Sequence, residues 1–320
     1  MTIPEHLVPT VERALGAAFG TTTYDDVSAL AGLRAFVCRI VVRGRPYVVR
    51  VGATTLVEPA FEIAATRAAA AAGIAPRVWY ADAADRVTVS DYIAHAPRPA
   101  GFGMQLAPTI ARIHALPPWP RTIHHLDMLD GFIAKLRAAD ALAGLDDVLE
   151  AYAAATAHYP RDADLVACHN DLKGPNILFD GARVWVIDWE AAFMNDRYAD
   201  LANAATFFVE EDDRDEAALL TAYFGAPATA YQRARLVVAR FANHMAYVAF
   251  LALFNPRAGI PAQPTPDYRA FLDGITAGTI DLSDAATKIR YANVHLAAAR
   301  RALASPRLAT ATALLAGHAG

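Results

Sequence analysis

The chain has 320 residues, 55% of them apolar and 19% charged, which is enough to bury a large core in two lobes or two domains. Lys and Arg number 29 against 33 Asp and Glu, and this net charge of −4 excludes the basic footprint of a nucleic-acid-binding protein. The two cysteines have no metal-binding or disulfide spacing, and the N-terminus lacks the basic start and apolar segment of a signal peptide, so we expect a cytoplasmic protein.

The first 95 residues are predicted to form a small lobe built mainly of β-strands. Residues 4–18 have the pattern of an amphipathic helix, and strands are predicted within 24–51 and at 77–80 and 87–90. A helix from Glu58 to Ala72 separates the two groups of strands. Prolines and glycines between 97 and 103 mark a boundary, so we predict one lobe at 1–95 and a second lobe at 96–320.

The second lobe is predicted to be mostly helical. Its helices are expected at 104–116, within 127–157 with a break near Gly144, at 201–209, 241–254, 267–277 and 284–303, and after Pro306. The longest apolar stretch, 241–254, is interrupted by Asn243 and His244 and is too short to span a bilayer, so we predict a buried helix and no membrane contact. Residues after 281 either pack on the second lobe or form the contact of a homodimer.

The residues that carry chemistry lie between 165 and 190. A short apolar run ends at Cys168 and is followed by His-Asn-Asp-Leu-Lys-Gly-Pro-Asn, in which the Gly-Pro turn keeps Asp171 and Asn176 on one loop. Residues 177–179 and 184–187 then have the pattern of two strands, and the Asp-Gly between them is a strong hairpin signal. The hairpin returns a second carboxylate, Asp188, beside the loop.

This arrangement suits phosphoryl transfer. The reaction needs a carboxylate that accepts the proton of the attacking hydroxyl, and Asp171 fits that role. It also needs oxygen ligands for the Mg²⁺ that neutralises the phosphates of ATP, and Asn176 and Asp188 fit that role. Protein kinases use the same order of Asp, Asn and a downstream Asp, and by analogy with their Asp-Leu-Lys order Lys173 stabilises the phosphoryl group in transit. Glu190 either shares the metal through water or faces the substrate.

The same stretch resembles the choline/ethanolamine kinase and aminoglycoside phosphotransferase superfamily, the small-molecule relatives of protein kinases. The resemblance is carried by the segments Cys168–Asp171, Asn176, Ile187–Glu190, Met194–Asp196 and Asp200–Ala202. It implies an α+β, bilobal, protein-kinase-like fold, with a small N-terminal antiparallel sheet lobe that carries one key helix and a large, mostly helical C-terminal lobe. It also implies ATP and Mg²⁺ as cofactors and a small-molecule alcohol as the substrate.

The N-terminal lobe of such a fold holds the nucleotide. The resemblance implies that Arg50, at the end of a predicted strand, contacts the phosphates where protein kinases have a lysine. Its partner is expected to be a Glu on the following helix, Glu62 in preference to Glu58. Gly32 lies where a glycine loop would cover the phosphates, although an ordinary turn would use a glycine there as well. The segment Asp91-Tyr92-Ile93 is expected to form the hinge that binds adenine.

The connection after Asp188 bears on the substrate. Only twelve positions separate Asp188 from Asp200, which leaves no room for the long activation segment of a regulated protein kinase, so a protein substrate is disfavoured. Asp200 is either the N-cap of the next helix or a direct contact of the catalytic loop. The acidic run 210–216 either draws a cationic amino-alcohol or aminoglycoside towards the site or is a solvated helix start.

Three residues are predicted to bind the substrate. The family has a Glu at the position of Phe207 and later tryptophans that this chain lacks, so aromatic residues and a neighbouring acid are expected to replace them. The candidates are Phe207, Glu210 and Tyr247.

We therefore predict an ATP-dependent kinase that phosphorylates a hydroxyl of a small, amine-bearing molecule similar to choline or ethanolamine. The alternative enzymes are kinases of aminoglycosides or of other small alcohols. The alternative of another class is a catalytically inactive nucleotide-binding or scaffold protein, and the joint presence of Asp171, Asn176 and Asp188 argues against it.

Overall fold

The computed structural model describes residues 2–30, 35–52, 58–254, 260 and 267–318, and the chain forms two compact units. The first unit comprises residues up to Arg98 together with Asn176–Ala192. The second comprises Pro99–Pro175 and the residues from Phe193 onward. The sequence analysis did not predict that residues 176–192 belong to the first unit. The predicted domain boundary between residues 95 and 96 stays a prediction.

The described residues form nine strands and eleven α-helices. The strands are β1 Asp26–Ala29, β2 Ala35–Val42, β3 Arg45–Gly52, β4 Val78–Asp82, β5 Val87–Asp91, β6 Leu165–Cys168, β7 Ile177–Phe179, β8 Val184–Val186 and β9 Phe193–Asp196. The helices are α1 Val8–Phe19, α2 Pro59–Ala71, α3 Phe102–His114, α4 His125–Ala138, α5 Asp146–Thr156, α6 Arg197–Phe208, α7 Asp213–Phe224, α8 Ala230–Ala252, α9 Tyr268–Thr276, α10 Ala285–Ala304 and α11 Pro306–Ala316.

The first unit is organised by an antiparallel sheet in the order β1-β2-β3-β5-β4. Alternate side chains of β3 are buried, namely Tyr47, Val49 and Val51, because one face of the sheet packs against a core that includes Leu15 of α1. Arg50 therefore lies on the opposite face. The predicted antiparallel sheet is confirmed, and α2 is the predicted key helix that carries Glu62.

The predicted hairpin is present in the first unit. β7 and β8 pair in antiparallel register, and the turn is stabilised because Asp180 Oδ1 accepts the backbone N–H groups of Ala182 and Arg183 at 2.9 and 2.7 Å. The N–H of Val186 donates to the carbonyl of Ile74 at 2.9 Å, which ties the hairpin to the end of α2. The segment that follows β8 is thus held in a fixed position in the first unit.

The second unit is built around α8. This helix has 23 residues, starts with a capping box formed by Thr229 and Gln232, and contacts α4, α5, α6, α7, α10 and α11. Residues after 281 form α10 and α11, so they pack within the second unit. A homodimer contact stays a prediction. No helix among the described residues is long and apolar enough to cross a membrane.

A buried ion pair ties α8 to α7. Arg240 donates to Glu216 Oε1 at 2.8 Å and to the carbonyl oxygens of Val209 and Glu210 at 2.9 and 3.2 Å. The side chains of Arg240 and Glu216 are only 3% and 5% exposed. Because a buried charge without its partner is strongly unfavourable, this pair is expected to matter for stability far more than a surface pair.

We expect Arg240→Ala to lower the free energy of unfolding by about 3 kcal/mol, because Glu216 loses its buried partner and keeps the less buried Arg307. The matched control is Arg300→Ala, since Arg300 pairs with Asp147 at 2.8 Å and both side chains are 45% exposed. The control is expected to cost about 0–1 kcal/mol. Urea unfolding monitored by circular dichroism measures the free energy of unfolding of both variants. Equal losses in the two variants would contradict the claim that the buried pair contributes more to stability than the exposed one.

Candidate active site

Arg50 is the centre of a charged cluster in the first unit. Its Nη1 donates to Glu62 Oε1 of α2 at 2.5 Å, and its Nη2 lies 3.7 Å from Asp188 Oδ1 and 3.8 Å from Glu190 Oε2. The predicted pairing of Arg50 with Glu62 is therefore present, whereas Glu58 lies exposed at the start of α2. One guanidinium is therefore approached by three carboxylates.

The electrostatics of Glu62 reflect this crowding. Burial raises the pKa of Glu62, the guanidinium of Arg50 opposes the rise, and the carboxylate of Asp188 adds to it. The pKa of Glu62 accordingly lies above its ordinary value. An added cation would relieve the repulsion among these acids.

Asn176 and Asp188 lie at the same end of the hairpin. Asn176 precedes β7 and Asp188 follows β8 by one residue, and the N–H of Ile187 donates to the carbonyl of Asn176 at 3.0 Å. The Asn176 side chain is buried at 5% exposure. The hairpin thus brings together the two predicted oxygen ligands.

Asp188 has an unusual backbone conformation and a buried oxygen without a donor. Its backbone has φ +66°, a left-handed conformation that non-glycine residues adopt rarely. Its Oδ1 is buried and accepts no hydrogen bond from the part of the chain that the structure describes. A buried carboxylate oxygen without a donor is costly unless a cation compensates it, so Asp188, Asn176 and Glu190 fit a Mg²⁺ ion.

In the second unit, Asp200 holds the loop that follows β6. Its fully buried carboxylate accepts the backbone N–H groups of His169 and Asn170 at 2.8 and 2.6 Å, and it lies 3.2 Å from His114 Nε2. Burial by itself would raise the pKa of Asp200, but the hydrogen bond and charge of His114 hold it below its ordinary value. Asp200 therefore stays ionised and fixes the backbone of the loop.

The N-cap interpretation of Asp200 was wrong. The helix α6 begins at Arg197, and its N-cap is Asp196, whose Oδ1 accepts the N–H of Tyr198 at 3.1 Å. Asp200 lies in the first turn of the helix, where a negative charge also interacts favourably with the helix dipole. The alternative interpretation, direct contact with the catalytic loop, is the correct one.

Asn170 and Asn195 support the same loop, and the sequence analysis assigned no loop contact to either. Asn170 has φ +65°, and its side chain joins β6 to β9 because its Oδ1 accepts from Asn195 Nδ2 at 2.7 Å. Asn195 Oδ1 in turn accepts the N–H of His125 at 2.9 Å. The Cys-His-Asn-Asp run was the available signal, since Asn tolerates a positive φ better than most residues.

The predicted base and its neighbour are in contact. Lys173 Nζ lies 2.7 Å from Asp171 Oδ2, and the two side chains are 30% and 21% exposed. The N–H of Asp171 donates to His169 Nδ1 at 3.2 Å. The loop therefore presents one carboxylate and one ammonium group side by side, at a position that solvent still reaches.

Tyr247 is the predicted substrate residue whose pKa is affected by the charges of Asp171 and Lys173. Burial raises its pKa, and the nearby carboxylate of Asp171 raises it further while Lys173 opposes the rise. The sequence analysis missed Tyr291 of α10. Burial is the main cause that raises the pKa of Tyr291, and the charge of Asp171 also raises it. Both tyrosines are neutral hydrogen-bonding groups near the loop.

The other two predicted substrate residues differ from each other. Phe207 is buried at 5% exposure in an apolar cluster and contacts the ring of Tyr247 at 6.0 Å between centroids. The side chain of Glu210 is 69% exposed and lies 3.5 Å from Arg269. Arg307 pairs with Asp213 and Glu216 at 2.7 and 2.5 Å, so much of the acidic run 210–216 is compensated by arginines of later helices.

The predicted nucleotide contacts outside the charged cluster are less informative. Asp91 ends β5 opposite Tyr47, and its Oδ1 accepts Trp79 Nε1 at 2.7 Å. Tyr92 and Ile93 follow outside regular secondary structure, and the guanidinium of Arg39 lies 5.4 Å from the ring centre of Tyr92. Gly32 lies outside the described residues. The hinge and the glycine loop stay predictions.

We expect Asp200→Asn to lower the free energy of unfolding by about 2–3 kcal/mol at pH 7, because an amide cannot accept both loop N–H groups and loses the charge. The folded-state pKa of Asp200 lies below its ordinary value, so its contribution is complete above the ordinary pKa of an aspartate and is lost as the pH falls through the folded value. The advantage of the wild type over the variant should therefore shrink in acid.

Urea unfolding at a series of pH values measures this difference. Asp213→Asn is the control, since that first-turn acid of α7 is 83% exposed. A difference between wild type and Asp200→Asn that grew as the pH fell would contradict the account.

Known proteins resemble this chain in sequence and in fold. The sequence model of the phosphotransferase enzyme family, APH, matches residues 26–237, which is more than half of the chain. No curated protein sequence matches it.

Solved structures with the same fold include kinases of two kinds. A choline/ethanolamine kinase family protein from Mesorhizobium loti is 25% identical with a TM-score of 0.65, over 90% of this chain and 99% of its own. Choline kinase LicA from Streptococcus pneumoniae is 16% identical with a TM-score of 0.63, over 86% of this chain and 98% of its own. Spectinomycin phosphotransferase APH(9)-Ia, solved with ADP and spectinomycin, is 12% identical with a TM-score of 0.56, over 92% of this chain and 100% of its own.

These likenesses confirm the protein-kinase-like fold and the superfamily that the motifs indicated. The matched sequence covers the strand that carries Arg50, the loop with Asp171 and the hairpin that ends at Asp188. The chain belongs to the phosphotransferase enzyme family.

Proposed function

We propose that the protein transfers the γ-phosphoryl group of ATP to a hydroxyl of a small, amine-bearing alcohol. The observation that carries the proposal is the cluster at the end of the hairpin. There Arg50 is shared by Glu62, Asp188 and Glu190, and a buried oxygen of Asp188 accepts no hydrogen bond from the described residues. A guanidinium beside several carboxylates, one of which has a buried oxygen without a donor, is suited to a nucleotide phosphate with its cation.

Asp171 is proposed as the general base. The acceptor oxygen forms a bond to the γ-phosphorus while the bond from phosphorus to the ADP oxygen breaks, and the hydroxyl proton passes to the carboxylate of Asp171. The backbone N–H groups of His169 and Asn170 donate hydrogen bonds to Asp200. These bonds support the proposed role, because they fix the loop that carries the base. Lys173 supplies positive charge to the phosphoryl group in transit.

Asn176 and Asp188 would hold Mg²⁺, and Glu190 would act through water or face the substrate. The ion would neutralise phosphate charge when it is bound. Arg50 contacts the phosphates and Glu62 positions it, as a bidentate guanidinium can do while paired to a carboxylate. Gly32 and the segment Asp91-Tyr92-Ile93 are proposed to contact the phosphates and the adenine.

The acceptor is proposed to bind beside Tyr247, near Asp171 in the second unit. Phe207 of α6 packs against Tyr247 of α8, and Glu210 follows the end of α6. An aromatic side chain with a nearby acid supports an amine-bearing substrate. An aminoglycoside or another small alcohol is the second candidate. The arginines that compensate the acidic run weaken its attraction for a cation, which favours an alcohol of lower charge within this second group. Both cysteines are free and buried, in keeping with a reducing cytoplasm.

We expect Asp171→Asn to lower acceptor-dependent turnover by about 10²–10⁴-fold, because the variant lacks the proton acceptor. ATP should still bind, because the proposed phosphate and metal ligands of the first unit are unchanged. The measurement is ADP release with an amino-alcohol acceptor, together with nucleotide titration calorimetry. Asp273→Asn, at an exposed site on α9, is the control and should behave as the wild type. Turnover close to that of the wild type in Asp171→Asn would remove this residue from the role of base.

We expect Asp188→Ala to weaken Mg-ATP binding by at least about tenfold, or about 1.4 kcal/mol, because the cluster loses a metal ligand. Titration calorimetry with and without Mg²⁺ separates the effect on the metal from an effect on the nucleotide. Glu12→Ala on the exposed side of α1 removes an equal charge from the first unit and serves as the control. An unchanged affinity in Asp188→Ala would place the metal elsewhere.

A further inference from the structure

Asn203 of α6 has a buried oxygen for which the fold provides no donor. Its side chain is 5% exposed, and its Oδ1 accepts no hydrogen bond from any residue that the structure describes. Buried amide oxygens without a donor are rare in folded proteins because they lose hydration without compensation. Such an oxygen is a candidate for contact with a ligand.

The direction in which this amide points is set by its neighbours. The hydroxyl of Thr206 donates to the carbonyl of Ala202 at 2.8 Å, so Thr206 Oγ1 must act as the acceptor for Asn243 Nδ2 at 3.0 Å. That choice turns Asn243 Oδ1 towards Asn203, whose Nδ2 donates to it at 3.4 Å. A flipped Asn203 would set two oxygens against each other. The unpartnered atom is therefore the oxygen of Asn203 and not its nitrogen.

The same amide is linked to the proposed base through Tyr247. Asn203 Nδ2 lies 3.4 Å from the hydroxyl of Tyr247, which also forms a hydrogen bond with Tyr291. The charge of Asp171 raises the pKa of both tyrosines. Asn203 therefore contacts a tyrosine hydroxyl whose pKa the carboxylate of Asp171 raises.

The aromatic side chains in this region are poorly placed to form a cage for a quaternary ammonium group. One face of Tyr247 is stacked on His295 at 4.3 Å with an interplanar angle of 6°. Phe207 is packed in the apolar cluster, and Arg269 and Arg301 lie 6.0 and 5.6 Å from the ring centre of Tyr268. The chain's own groups occupy several of the ring faces that a trimethylammonium group would need.

We propose that Asn203 Oδ1 accepts a hydrogen bond from the acceptor substrate, and that the protein selects alcohols whose amine carries at least one N–H. This inference rests on the proposed kinase function and assigns its substrate class. A primary, secondary or tertiary ammonium group can satisfy the oxygen, whereas a quaternary ammonium group has no hydrogen to donate. A site built to receive a donor rejects an analogue that lacks it, because the buried acceptor is then left unpaired.

The test uses a series of acceptors with constant charge. Ethanolamine and its N-methyl, N,N-dimethyl and N,N,N-trimethyl derivatives, the last being choline, carry three, two, one and no N–H donors. The measurement is kcat/KM for each acceptor with Mg-ATP and the full chain. We expect a drop of about 10–100-fold at the last methylation, since that step alone removes the final donor.

Variants separate hydrogen bonding from size. Asn203→Leu, which is similar in size but has no acceptor, should bring kcat/KM for ethanolamine down to the level of choline and leave the value for choline nearly unchanged. Asn293→Leu on α10 replaces another buried asparagine, whose Nδ2 donates to the carbonyl of Ile289 at 3.1 Å, and should keep the wild-type ratio.

Three results would overturn the inference. Choline used as well as ethanolamine by the wild type would do so even if Asn203→Leu failed to fold. An Asn203→Leu variant that lowers every acceptor by the same factor would do so as well. No phosphorylation of any member of the series, with nucleotide binding intact, would contradict the proposed function itself and remove the basis of this inference.

Discussion

The carboxylate of Asp200 is the constraint on which the second unit's part of the site depends. It is fully buried, yet it is held ionised by His114 and by two backbone N–H groups of the loop after β6. A single side chain thus determines where His169 and Asn170 lie, and Asp171 follows directly. Tyr223 completes the support, because its hydroxyl lies 2.6 Å from His114 Nδ1 and leaves Nε2 to donate to Asp200.

In the first unit, Arg50 is the residue proposed to act where protein kinases have a lysine. Arginine offers five N–H donors in a planar fork, so one residue approaches Glu62, Asp188 and Glu190 together. A lysine ammonium is a more compact charge and would serve fewer of these partners at once. The buried oxygen of Asp188, which accepts no hydrogen bond from the described residues, is the observation that fits the proposed divalent cation.

The sequence was sufficient wherever the information is local. The turn residues predicted the hairpin, and the start of the amphipathic pattern on the next helix selected Glu62 over Glu58 as the partner of Arg50. Local information misled at α6, because Asp196 and Asp200 are both plausible N-caps and only the tertiary structure shows which of them caps the helix.

What the sequence could not show depends on contacts between distant residues. The acidic run is compensated by Arg240, Arg269 and Arg307, which lie far along the chain. The direction of the Asn203 amide depends on a chain of hydrogen bonds through Asn243 and Thr206 on two packed helices. No periodicity or motif reports on such pairings, since each requires the packing of α8 against its neighbours to be known.

The most direct test of the central claim is ³¹P NMR of the full chain with Mg-ATP and one acceptor at a time. Ethanolamine, an aminoglycoside and glucose represent a small amine-bearing alcohol, a large one and a neutral sugar. The account predicts that the γ-phosphate signal of ATP is replaced by that of a phosphate ester of an amine-bearing acceptor, and that chelating Mg²⁺ stops the conversion. Release of inorganic phosphate at a rate that no acceptor changes, or a phosphate ester formed on glucose in preference to both amines, would contradict it.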